Sequence, residues 1–154
     1  MTEIRRVVTG NDAEGRSYIV ADERIKRGGL WHSDAQAPLG GEPVALLAST
    51  APRLEPGATG SGLFYVSFPP WATVRAGYEE GRKAGFDREG FHRTATLDYL
   101  YVLDGELELL LDRGSVLLGP GDVVVQRNTR HAWRNHGERP VNALAVMIKP
   151  DAAG

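Results

Sequence analysis

A chain of 154 residues, 42% of them hydrophobic and 25% charged, can bury a core without cross-links and has the composition of a globular domain. Its net charge of −2 offers no general attraction to nucleic acid or to an anionic membrane. The absence of cysteine excludes disulfides and thiol catalysis, leaving histidine and carboxylate as the strong metal ligands.

In chain order, Ile4, Val7 and Val8 suit a short strand, Gly10-Asn11-Asp12 turns, and residues 17–21 (SYIVA) suit a second strand. Residues 30–33 and 44–47 are further extended segments, separated by Pro38-Leu39-Gly40-Gly41. Residues 51–62 are rich in proline and glycine and read as a surface loop. They are not a domain linker, because what precedes them is too short to hold a core of its own. Residues 63–68 form a strand stopped by Pro69-Pro70.

The only helical segment is 71–85, where Trp71, Val74 and Tyr78 share a face and Glu79 precedes Lys83 by four residues. Two internal glycines weaken it. A short helix or flap crossing a barrel mouth is expected. From residue 91 to 135, runs rich in Val, Leu and Tyr are broken at Asp104-Gly105, Asp112-Arg113-Gly114, Gly119-Pro120-Gly121-Asp122 and Asn128-Thr129. Asp104-Gly105 and Asp112-Arg113-Gly114 read as hairpin turns, and the spacing predicts an antiparallel sandwich or barrel. Residues 141–148 supply a last core strand, and 149–154 a tail. No signal-like segment opens the chain and no apolar run approaches membrane-spanning length, so a cytoplasmic address is expected.

The 91–135 block resembles a cupin, a small jelly-roll barrel whose first motif is roughly G-x5-H-x-H-x3-E-x6-G. His92 fills the first His slot, Thr94 the second, Asp98 the Glu slot and Gly105 the last. The second motif follows a Pro-Gly-Asp turn and ends in His-x3-Asn, matched by Pro120-Gly121-Asp122 and by His131 with Asn135. The chain is also similar to small single-domain cupins sharing HRT-x-T-LDY and VVVQR-x-T-x-HAWRN stretches. The resemblance implies an all-β, single-domain jelly roll, with residues 1–62 as an amino-terminal strand arm and loop and 63–150 as the barrel. It implies a homodimer, which would also cover exposed edge strands. Thr94 and Asp98 replace two of the family's usual metal ligands.

Strand alternation gives an independent reading. His92, Thr94, Thr96, Asp98, Leu100 and Val102 point one way on a continuous strand, polar at one end and apolar at the other. That is the profile of a barrel with a packed floor and a wet mouth. His131, Trp133 and Asn135 likewise share a face. Three roles remain open for His92, Asp98 and His131. They hold a divalent Fe, Mn, Ni or Zn ion. Alternatively no metal binds, and His131 is a general base oriented by Asp98, with Tyr99 or Tyr101 as acid. In the third role the cluster is a satisfied polar network that only binds a ligand.

Plainer roles stand beside these. Asp98 can pair with Arg93 or Arg127, and Trp133 can be core packing or pocket wall. Asn135 and Asp122 suit turn and strand-end hydrogen bonds, Asn128 a positive φ, and His32 and His136 the surface. Arg127, Arg130 and Arg134 crowd His131, and Arg93 adjoins His92; facing a pocket, they would favour a carboxylate. The residues expected to contact substrate are Arg93, Thr94, Tyr101, Gln126 and Trp133. The expected function is small-molecule metabolism: a lyase, isomerase, decarboxylase or dioxygenase acting on a small aromatic or carboxylate-bearing compound. The alternative is a non-catalytic ligand-binding cupin. Without a helix-turn-helix or a basic stripe, DNA binding is not expected.

Overall fold

The computed structural model describes residues 3–25, 28–33 and 60–149, which hold ten strands and one helix. Among the described residues, β1 (Ile4–Asn11) and β2 (Ser17–Ile25) pair only with each other, as an antiparallel ribbon. β2 runs longer than the sequence suggested, and β1 continues through Gly10 and Asn11, where a turn was expected. β3 (Gly28–Ser33), β4 (Gly60–Phe68), β5 (Leu97–Val102), β8 (Val123–Arg127) and β10 (Val141–Lys149) form a five-stranded antiparallel sheet in the order β3-β4-β10-β5-β8. β6 (Leu107–Leu111), β7 (Ser115–Leu118) and β9 (His131–Arg134) form a second sheet in the order β7-β6-β9. The strand expected at 44–47 and most of the loop expected at 51–62 lie outside the described residues.

The ribbon is tied to the barrel by Arg6, which is buried, donates to the Leu30 carbonyl and forms an ion pair with Glu23. β3, grouped by the sequence with the arm, is hydrogen-bonded to β4 in the barrel's own sheet.

Residues buried and exposed alternate along β5 and β8 with the period of two that a half-buried strand requires. Register then lines the inner face into rows. Phe64, Ala145, Leu100 and Val124 form one row, and Val66, Ala143 and Val102 the next. Leu107, Leu109 and Leu118 of the second sheet join the same core, so the two sheets face each other across it. The row beyond Phe64 changes character: Gly62, Met147, Asp98 and Gln126. The floor is apolar and one end is polar, as alternation predicted.

The turns correct one expectation. Asp112-Arg113-Gly114 does join a hairpin, β6 to β7. Asp104-Gly105 has the expected positive φ at Gly105 (+68°), but β5 and β6 lie in different sheets. It is a corner, not a hairpin. Gly105 packs so closely on buried Val141 that an added Cβ would sit 2.7 Å from its Cγ2. The breaks before β8 and β9 also carry the chain between sheets, and Asn128 adopts the positive φ expected of it (+49°).

The helix α1 (Trp71–Glu79) stops six residues short of the expected end. Arg82 N–H donates to the Gly77 carbonyl and Gly81, at φ +69°, donates to Tyr78, a Schellman close that ends the helix. Its first amide, on Trp71, donates to the Asn135 carbonyl at 2.7 Å, which docks the helix on the loop after β9. Among the described residues no helix is long and apolar enough to cross a membrane.

Candidate functional site

The two histidines from opposite ends of the 91–135 block meet. His92 and His131 form an isolated antiparallel bridge, each amide donating to the other's carbonyl at 2.9 Å. This backbone pairing brings their rings to 4.3 Å between centroids, tilted by 52°. His131 is only 3% exposed. Its Nδ1 lies 2.8 Å from the Thr129 carbonyl, an acceptor only, so Nδ1 carries the proton and donates. The lone pair of the neutral ring is therefore on Nε2. Burial lowers the pKa of His131, partly offset by the Thr129 hydrogen bond and the charge of Asp98. Burial, then the neighbouring His131, holds His92 down to about 4. Both rings are neutral at pH 7.

From the facing sheet come Asp98 and Gln126, direct partners across β5 and β8 and both buried. Thr96 Oγ1 donates to Thr94 Oγ1 at 2.9 Å, and Thr94 Oγ1 donates to the Asp98 carboxylate at 3.3 Å. Thr94, in a His slot of the motif, thus serves Asp98. Gln126 Nε2 donates to Thr129 Oγ1, while its Oε1 is buried without a hydrogen-bond partner.

An aromatic wall surrounds the imidazoles. Phe86 lies 4.3 Å from His92 and Trp133 lies 5.6 Å from His131, with Phe68 behind Trp133 at 5.5 Å. Trp133 is both core packing and wall. The segment after α1 is clasped over this region. Arg130 bridges Asp87 to Asp112 and covers the Phe91 ring at 4.2 Å, and Arg134 covers Trp71 at 4.7 Å. A separate open cleft of about 950 Å³, lined by residues including Tyr65, Asp104, Glu106 and Arg139, lies by the opposite end of β5 and touches neither histidine.

Several expected contacts fall elsewhere. Tyr101 is 44% exposed and Tyr99 41%, both on the sheet's outer face, because odd-numbered residues of β5 point away from Asp98. Neither reaches the imidazoles as an acid. Arg93 and Arg127 are exposed, and Asp98 accepts a hydrogen bond from Thr94. Orientation of His131 comes from the Thr129 carbonyl, a backbone group no side-chain pattern announces. Phe86 was missed because the interrupted helical pattern hid the turn that delivers it. Asn135 and Asp122 do the turn work expected of them: Asn135 donates to Phe68 and Arg139, and Asp122 accepts from Gly119. His136 is exposed and paired with Glu108; the side chain of His32 lies outside the described residues.

The expected metal set can be tested on this geometry. Among the described residues, no three His, Cys, Asp or Glu side chains converge closely enough to hold an ion. Two imidazoles meet, which leaves a divalent transition ion short of the three or more protein donors such centres use. Among the described residues, the donor set does not fit such a metal.

The cupin-domain family model matches residues 79–147. A cupin-domain-containing oxidoreductase of Neurospora crassa, srdB, is 31% identical over 155 residues, covering 94% of this chain and 74% of that protein. The chain belongs to the cupin family. This cupin is also 28% identical to the cupin-domain-containing oxidoreductase fogC of Aspergillus ruber, over 96% of the chain and 73% of that protein. A 45-residue stretch is 60% identical to phomopsin biosynthesis cluster protein C′ of Diaporthe leptostromiformis. That match spans only about a quarter (24%) of the relative's length.

Proposed function

We propose that this cupin is an enzyme of small-molecule metabolism in which His131 acts as a general base through Nε2. One observation carries the reading: the Thr129 carbonyl holds Nδ1, so the buried ring's basic nitrogen is Nε2. The lowered pKa keeps that nitrogen unprotonated at neutral pH, and the Asp98 charge favours the imidazolium formed when it takes a proton. His92 and Phe86 exclude water from one side. The reaction class is proton removal from a small aromatic or enolisable compound, as in an isomerase or lyase. The names of its relatives, oxidoreductases and biosynthesis cluster proteins, support a metabolic role and make net oxidation a second product to assay.

The test is deuterium incorporation from D₂O into a panel of small hydroxylated aromatics and enolisable ketones, followed by NMR. Exchange is expected with wild type, rising with pH to a plateau and lost by at least about a hundredfold in His131→Gln. Wild-type exchange rates in that variant would retire the reading.

The homodimer belongs to the same proposal. Tyr99, Tyr101, Val123 and Val125 are 41–61% exposed on the outer face beside edge strand β8, an apolar strip suited to a second copy. Sedimentation should give twice the chain mass, and Val125→Glu should give one.

A further inference from the structure

We infer that Gln126 selects the substrate, and that the polar end of the barrel takes a neutral, hydroxyl-bearing aromatic molecule rather than a carboxylate. This rests on the proposed reading that the polar end of the barrel is the site.

The first observation is an open valence. Gln126 is 5% exposed, stands on the inner face beside Asp98, and uses its Nε2 on Thr129 Oγ1. Its Oε1 is buried with no partner. A buried carbonyl oxygen without a donor is costly, and such atoms in native proteins call for an explanation. A ligand donating a hydroxyl or N–H to Oε1 supplies it. The second observation is the company Gln126 keeps. His131 offers a lone pair at Nε2, and Asp98 offers a carboxylate. All three are acceptors, so a molecule bound among them must donate.

The third observation concerns charge. Among the described residues, none of the nearby cations is shown turned to this end of the barrel. Arg93 and Arg127 are exposed, Arg130 is spent on Asp87 and Asp112, Arg134 stacks on Trp71 and donates to the Glu89 carbonyl, and both histidines are neutral. A carboxylate brought beside Asp98 would meet a like charge with no partner. The rings of Phe86, His92 and Trp133 supply flat apolar walls, which suit an aromatic body carrying the hydroxyl.

Catechol and benzoate, similar in size and opposite in hydrogen-bonding character, are the probes. Each is titrated calorimetrically at pH 7.5 into wild type, Gln126→Leu and Gln126→Glu, and the ratio of the two dissociation constants is read. That ratio does not change if part of a variant is unfolded. In wild type catechol should bind at least about tenfold tighter than benzoate. Loss of one hydrogen bond in Gln126→Leu should shrink the ratio about fivefold. Gln126→Glu keeps an acceptor and should preserve the preference. Benzoate binding as tightly as catechol, a ratio unchanged in Gln126→Leu, or no binding of catechol would overturn the inference. Catechol preference without proton exchange would sink the catalytic reading alone. Exchange by a protein that prefers benzoate would sink the selectivity alone.

Discussion

The neutral histidine pair makes stability depend on pH in a window where few other groups titrate. His92 is held from 6.5 down to about 4 in the folded chain. The fold favours the neutral ring, so the unfolded chain takes up the proton first. Stability is therefore complete above pH 6.5 and is lost as the pH falls towards 4. Between pH 7.5 and pH 5 the loss from His92 comes to about 2 kcal/mol, and His131, lowered in the same direction, adds to it. Asp87 and Glu108 are also lowered, but their unfolded values of 3.8 and 4.5 put their losses below this window. Urea unfolding at half-unit steps of pH measures the effect from the midpoints. His92→Phe keeps a ring against Phe86 and His131 without the charge, and should flatten the profile by about 2 kcal/mol across the window. Superimposable profiles for wild type and His92→Phe would refute the buried neutral pair.

Three further outcomes follow from the geometry. Gly105→Ala puts a Cβ 2.7 Å from Val141 at φ +68° and should cost about 2–4 kcal/mol in urea unfolding, whereas Gly114→Ala, at φ +85° with nothing within 4 Å, should cost about 1–2. Asn135 is 2% exposed and its side chain makes three hydrogen bonds, to Phe68, Arg139 and Gly137; Asn135→Ala should lower stability by about 2–3 kcal/mol, read from the thermal midpoint with matching calorimetry. Added Fe(II), Mn(II), Ni(II) or Zn(II) should leave the melting temperature unchanged, because two imidazoles alone make a poor centre; a rise of several degrees that disappears in His131→Ala would restore the three-ligand set.

The sheet architecture and the meeting of the histidines were legible because both follow from period-two alternation and turn spacing. Asp98, Leu100 and Val102 share the inner face of β5, as alternation requires, but the continuous strand expected from His92 to Val102 does not form: the chain bends at Ala95 and Thr96, and His92 reaches the site through its backbone bridge to His131. What alternation cannot supply is which sheet each strand joins. The positive φ of Gly105 is readable from Asp104-Gly105, but a hairpin and a corner use the same residues. The short reach of the helix was readable in Gly81 only after the Schellman bonds were seen. Arginine roles were the least readable. Arg130 lies next to His131 in sequence, yet its charge is drawn to Asp87 and Asp112, which sequence spacing places 43 and 18 residues away. A backbone carbonyl such as that of Thr129 leaves no trace in residue identity at all.

The position of β10 has a consequence for how the protein is made. The last of the described strands is the middle strand of the larger sheet, hydrogen-bonded to β4 on one side and β5 on the other. Until residues 141–149 leave the ribosome, those two strands have nothing between them and Phe64 has no Ala145 to pack on. The polar end of the barrel, with Asp98 paired to Met147, is thus assembled only after β10 has been made. A nascent chain arrested before Val141 should therefore lack this site entirely.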